Sequence, residues 1–153
     1  MKQDRPWYWA ITERGQGPDY YFDATFAPQN AAQLAVLVQR YLPTGFVRNE
    51  AHTSAIQYLN DDTYNKLQAL KQREDVRIWF SATIEVYGSR LSIYHQLGGG
   101  QDYGETSLLR NLAQSPELTL LQWRVGYGGD GYAHGDAAGG NDDTSLLAYL
   151  KPI

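Results

Sequence analysis

Five side chains in one glycine-rich stretch have the chemistry to hold a cation. Between Gly126 and Asp143, in the run GYGGDGYAHGDAAGGNDD, Asp130, Asp136, Asp142 and Asp143 offer carboxylate oxygens and His134 offers an imidazole. Calcium would suit such an oxygen-rich, pliable segment. The spacing argues against it. It does not follow the alternate-position ligands of an EF-hand, and after Gly128-Gly129-Asp130-Gly131 the calcium-binding nonapeptide needs Asp where this chain has Ala133. Neither a metal nor a cofactor is expected, and the plain reading of residues 126–143 is a solvated, acidic loop.

Two other glycine-rich runs resemble nucleotide sites only in outline. Gly99 to Thr106, GGQDYGET, has phosphate-loop spacing between a strand and a helix, but Glu105 stands where that loop needs Lys, and a carboxylate aimed at phosphates repels them. Arg124-Val-Gly126-Tyr-Gly128-Gly129 follows a strand as pyrophosphate-binding glycines do. Its register is off, no helix follows, and Asp130 occupies the anion's place. The histidines, His52, His95 and His134, lie far apart in the chain, and none has the Ser or Asp context of a triad or a His-Glu-x-x-His pair. His95 ends a hairpin within reach of Glu85 or Tyr94. With no Cys at all, a disulfide framework, a thiolate nucleophile and every cysteine-containing zinc site are excluded. Paired carboxylates for glycoside hydrolysis are a spatial arrangement that no spacing here excludes.

What distinguishes the stretch is its charge. It holds seven of the fifteen glycines, four Asp and no Lys or Arg, so its charge of -4 equals that of the whole chain. Elsewhere acids and bases balance at thirteen each. Scattered basic residues and a net negative charge speak against nucleic acid as a partner, because phosphate binding draws on clustered Lys and Arg. Twelve Tyr and four Trp outnumber the four Phe, and aromatic rings with a polar tip suit surfaces that are half buried and half wet. With hydrophobic residues at 42% and charged residues at 20%, the chain can build a core and does not read as disordered. The opening residues MKQDRPWYWAITE lack a secretory apolar run, and no window approaches the ~18 apolar residues of a membrane span, so a cytoplasmic protein without membrane contact is expected.

The elements that must position these residues read as one α+β domain over 1–153, a mainly antiparallel sheet covered by about three helices. Trp7–Glu13 and Tyr20–Phe26 are predicted strands that suit an opening hairpin around Gly15-Gln16-Gly17-Pro18. A helix follows from Gln29 to Leu42, with Ala31, Leu34, Leu37, Val38 and Tyr41 on one face, ended by Pro43 and Gly45. Phe46–Arg48 reads as a short strand and the residues up to Leu59 give no clear pattern. Asn60 or Asp61 caps a second helix running to Arg73. The strongest strand signal is Val76–Tyr87, whose alternation puts Ala82, Ile84 and Val86 on one face and Trp79, Glu85 and Tyr87 on the other. Gly88-Ser89 turns it back into Leu91–Gln96, making Val76 to Gln96 the central hairpin. Asp102 and Glu105 have the spacing of a capping box for a third helix ending at Ser115-Pro116. Leu118–Tyr127 then reads as a central strand, and Ser145–Leu150 as a last strand or helical turn.

In size, in its acidic segment and in the aromatics Trp79, Tyr87 and Tyr94, the chain resembles the small immunity proteins of bacterial toxin systems, including those of contact-dependent inhibition. The resemblance implies binding to a cognate, basic, nuclease-type toxin domain through Asp130, Tyr132, His134, Asp136, Asp142, Asp143, Trp79, Tyr87 and Tyr94, with no catalytic residues. From the residues alone, acidic loops steer basic partners and Tyr or Trp anchor them. Two alternatives stand beside it. One is an enzyme of small-molecule or carbohydrate chemistry with Trp79 and Trp123 as stacking platforms and Asp or Glu as acid and base; the other is a structural or regulatory subunit.

Overall fold

Alternation in the strands decides the architecture. In strand β1 (Asp19–Phe26), Phe22, Ala24 and Phe26 are buried while Tyr21, Asp23 and Thr25 are only partly covered. The same division runs through β4 (Ala82–Tyr87), where Ala82, Ile84 and Val86 are buried, and through β5 (Arg90–Gln96), where Leu91 and Ile93 are. Strands with one apolar and one polar face suit an antiparallel sheet with its core on one side; in β3 (Ile56–Asn60), by contrast, Tyr58, Leu59 and Asn60 are all buried. A computed structural model describes residues 19–50, 55–70, 72–73, 82–96, 103–127, 130–135 and 146–150. It shows a seven-stranded sheet in the order β2-β3-β4-β5-β1-β6-β7, every neighbouring pair antiparallel. The remaining strands are β2 (Phe46–Arg48), β3 (Ile56–Asn60), β6 (Leu120–Tyr127) and β7 (Asp130–Gly135).

Helices cover the apolar face. Leu34, Leu37 and Val38 of α1 (Ala31–Arg40), Leu108, Leu109 and Leu112 of α3 (Glu105–Ala113), and Leu146 of the short α4 (Leu146–Tyr149) join one core with Phe22, Ile84, Leu91, Ile93, Trp123 and Val125. Burying each such side chain contributes about 1.5–3 kcal/mol. Arg110 of α3 donates to the carbonyl of Leu150, which ties the chain's last described turn onto this layer. Helix α2 (Asp61–Leu70) starts where expected: Asn60 Oδ1 accepts from the backbone N–H of Thr63 at 2.9 Å. No helix of the described residues is long and apolar enough to cross a membrane.

The single α+β domain expected from the sequence is the fold observed. The hairpin turn is as anticipated, with Tyr87 opposite Arg90 and Gly88 at φ 58°, the left-handed value its first position demands. Several details differ. Both edges of β1 are taken, by β5 along Asp19–Thr25 and by β6 along Tyr20–Phe26, so Tyr20–Phe26 does not pair with Trp7–Glu13; the latter lies outside the described residues, as does Val76–Ser81 of the long predicted strand. β3, which gave no clear pattern, is formed because β4 offers it a full edge from Val86 to Thr83. Helix α3 opens at Glu105 with Gly104, at φ 110°, as its cap, so Glu105 is the first helical residue and not the third. Its buried carboxylate instead accepts from the backbone N–H of Tyr103 at 2.6 Å. β6 is not fully buried: Leu121, Gln122 and Arg124 face outward while Trp123 and Val125 face the core. Ser145–Leu150 resolves to a helical turn from Leu146.

Candidate functional site

The face of the sheet opposite the core carries a continuous row of polar side chains. Strand register places Gln57 opposite Glu85, Glu85 opposite Ser92, Ser92 opposite Asp23, Asp23 opposite Arg124, and Arg124 opposite His134. Directly paired residues in antiparallel strands lie on the same face, so the row from Gln57 to Arg124 crosses five strands. Its members bond to one another. Asn49 Nδ2 donates to Gln57 Oε1 at 2.7 Å, and Gln57 Nε2 donates to Glu85 Oε2 at 3.0 Å. Ser92 Oγ donates to Asp23 Oδ1 at 2.5 Å, which also receives Arg90 at 3.3 Å, while Arg124 lies 3.5 Å from Oδ2. The Arg124 guanidinium also stands 5.4 Å above the Tyr21 ring, a cation–π contact.

Two rows flank this one. Thr83, Tyr94 and Tyr21 lie on one side, and Tyr87, Arg90, Thr25 and Gln122 on the other. Tyr87 and Tyr94 are 43% and 44% exposed, so the two tyrosines expected as anchors do face solvent. The Tyr87 hydroxyl donates to Glu85 Oε2 at 3.4 Å, and the Glu85 charge holds its phenol above the usual range. Arg90 and Arg124 are more than half exposed, whereas Asp23 between them is 19% exposed. Exposed pairs of this kind contribute only about 0–1 kcal/mol each. The network orients the face more than it stabilises the fold.

Chemically, this arrangement sets hydrogen-bonded donors and acceptors beside two exposed tyrosine rings. Asp23 accepts from Ser92 and Arg90, and Glu85 accepts from Gln57 and Tyr87. Among the described residues no three His, Asp or Glu side chains gather as a metal site. Trp123, named as a stacking platform, is only 3% exposed and belongs to the core, so it offers no ring to a sugar.

The acidic segment is not wholly a loop. Asp130–Gly135 is the edge strand β7, with Asp130 opposite Tyr127 and Gly131 opposite Gly126. Register then shifts, because Val125 pairs with Ala133 and Tyr132 is the extra residue of a bulge. Backbone propensity missed this strand because glycine is poor in strands; pairing with β6 decides it. Thus Asp130, Tyr132 and His134 are placed at the sheet's edge, while Asp136, Asp142, Asp143 and Trp79 lie outside the described residues. The sheet separates Tyr87 on β4 from β7 by four strand spacings, about 19 Å. Sequence reading missed Asp23, Arg90, Ser92 and Arg124. Asp23 and Ser92 alternate with buried residues along their strands, but nothing local signals that the four converge.

No protein-family model matches this chain, and no curated protein and no solved structure matches it.

Proposed function

We propose that this chain is a protein-binding module, an immunity protein that neutralises a cognate basic toxin domain by direct contact. The observation that carries the reading is the polar sheet face, where exposed Tyr87 and Tyr94 stand in an ordered network of charges. That face runs on to the edge strand on which the acidic segment begins. Tyrosine supplies large contact area with few rotatable bonds, and such residues dominate binding energy at the centre of interfaces. A partner footprint of about 800 Å² spans roughly 28 Å, enough to cover the tyrosines and the acidic edge together. The four aspartates of residues 126–143 steer a basic surface toward it, which raises the association rate at low salt.

Co-expression with the product of the adjacent reading frame, followed by size-exclusion chromatography, tests this. The expected result is a stable complex and protection of cells from the partner's toxicity. Tyr87→Ala and Tyr94→Ala each weaken it by about tenfold or more, mainly through faster dissociation. Changing Asp130, Asp136, Asp142 and Asp143 together to Asn slows association and flattens its salt dependence. Absence of both complex and protection overturns the reading.

A further inference from the structure

We infer that the polar face of the sheet over β4, β5, β1 and β6 is also a self-association surface, which closes on a second copy of this chain about a two-fold axis parallel to the strands and midway between β5 and β1. The argument rests on the order of charges across the face. Along the central row Glu85, Ser92, Asp23 and Arg124 lie on successive strands β4, β5, β1 and β6. A two-fold axis between the middle two exchanges the ends of that row. Glu85 then meets Arg124 of the second copy, and Ser92 meets Asp23 of the second copy, twice over by symmetry.

The flanking rows comply with the same operation. Tyr94 on β5 falls over Tyr21 of the second copy on β1, ring toward ring, and Tyr87 on β4 falls over Gln122 on β6. Arg90 faces Thr25; it also comes within one strand spacing, about 5 Å, of its own copy across the axis, where the Asp23 that each Arg90 contacts at 3.3 Å offsets the repulsion. An axis parallel to the strands keeps the strands of the two sheets aligned, which is the common packing of sheet on sheet. Within the patch the charges balance, with Asp23 and Glu85 against Arg90 and Arg124.

The edge strands on which the acidic segments begin are kept apart in this dimer. The same operation carries β7 over β3 of the second copy. The two β7 edges, where the acidic segments begin, therefore lie five strand spacings apart, about 24 Å. That is well beyond the ~8 Å over which exposed charges interact at physiological salt. Four strands of about six residues give a patch of about 400 Å² in plan. Such an area is at the low end for specific association, so the dimer is weak and concentration-dependent. The inference does not depend on the proposed toxin partner, although a partner using Tyr87 and Tyr94 would compete with the second copy.

Sedimentation equilibrium on the purified chain, from about 10 µM to about 1 mM, tests the inference, since these concentrations bracket weak association. The wild-type chain is expected to pass from monomer to dimer over this range, and to dissociate as salt is raised. Glu85→Arg alone and Arg124→Glu alone each set like charges in contact and weaken self-association by about tenfold or more. Mixed in equal amounts, the two variants restore both opposite-charge contacts and form a heterodimer at wild-type strength. Tyr94→Ala, at an exposed site that leaves the fold intact, weakens the dimer without altering its salt dependence. A wild-type chain that stays monomeric up to the highest concentration overturns the inference. So do charge-reversed variants that dimerise as wild type does, or a mixture that fails to associate while each variant retains the wild-type circular dichroism spectrum.

Discussion

Replacing Gly104 with Ala puts a methyl group where the structure has no room for it. A Cβ built there lies 2.6 Å from Pro43 Cβ and 2.9 Å from Pro43 Cγ, with Pro43 Cα at 3.7 Å. The obstacle is a proline ring beside its own backbone, so it cannot swing away as the tip of a long side chain would. Gly104 also sits at φ 110°, which side-chain-bearing residues rarely adopt. The backbone contributes about 1–2 kcal/mol of destabilisation and the overlap about 1–3 kcal/mol more, or roughly 2–5 kcal/mol together. Gly45 is the internal control: it has φ 97° but nothing within 4 Å of its Cβ position, so only the backbone cost of about 1–2 kcal/mol applies there. Urea denaturation of both variants reads the difference directly. For a chain of this size each kcal/mol lowers Tm by about 2–4 °C, so Gly104→Ala should lower it by about 4–20 °C and Gly45→Ala by about 2–8 °C. Pro43→Gly should recover part of the Gly104→Ala loss, with a coupling of about 1–2 kcal/mol in the double-mutant cycle. Equal losses at Gly104 and Gly45, or no coupling to Pro43, would refute the claim that Pro43 leaves no room for a side chain at Gly104.

Asn30, 7% exposed, bridges the start of α1 to the approach to β6 by donating to the Glu117 carbonyl at 3.1 Å and accepting from the Thr119 N–H at 2.8 Å. Asn30→Ala should cost about 1–3 kcal/mol, and Asn30→Asp, which keeps the acceptor and loses the donor, should cost less in urea titration. Trp123→Ala should destabilise by about 3–5 kcal/mol, as expected for a buried aromatic in the core, and added sugars should leave Trp123 fluorescence unchanged. Because Glu85 raises the Tyr87 pKa, the folded state holds the phenolic proton more tightly than the unfolded chain does. The associated stabilisation is complete below the unfolded pKa and is lost as pH rises through the folded one, in the alkaline range. Ultraviolet titration should show Tyr87 ionising above the ordinary tyrosine range, and Glu85→Gln should lower that pKa.

The sequence made one face of the sheet readable and left the other's wiring hidden. Alternation in Ala82–Tyr87 and the Gly88-Ser89 turn set the register of β4 on β5, since a slip of one residue would expose Ile84 and Ile93. The Asn60 cap and the helix of Leu34, Leu37 and Val38 were likewise legible, because both signals are local. Strand order was not. Asp23 meets Ser92 from 69 residues away and Arg90 from 67, and only the insertion of β1 between β5 and β6 brings them together. Hydrophobic patterning cannot report that choice, since β1 would bury the same Phe22 and Ala24 beside any neighbour. β7 was obscured for a different reason. Its glycines and the bulge at Tyr132 interrupt the alternation that would announce a strand.

This separation between the two faces bears on how a binding surface can be built on a small domain. Core-facing residues of β1, β4, β5 and β6 fix the strands, and the strands in turn fix where Glu85, Ser92, Asp23 and Arg124 stand. Holding a flexible side chain at an interface costs about 0.5–1.5 kcal/mol. The bonds from Ser92 and Arg90 to Asp23, and from Gln57 and Tyr87 to Glu85, already restrict those groups in the free chain, so less of that cost remains at binding. Tyr87 and Tyr94 then present their area from a prepared surface. A flexible acidic loop could attract a basic partner but would give up this advantage on ordering. On the proposed reading, affinity should therefore lie in the central strands, and the acidic segment should govern how fast a partner arrives.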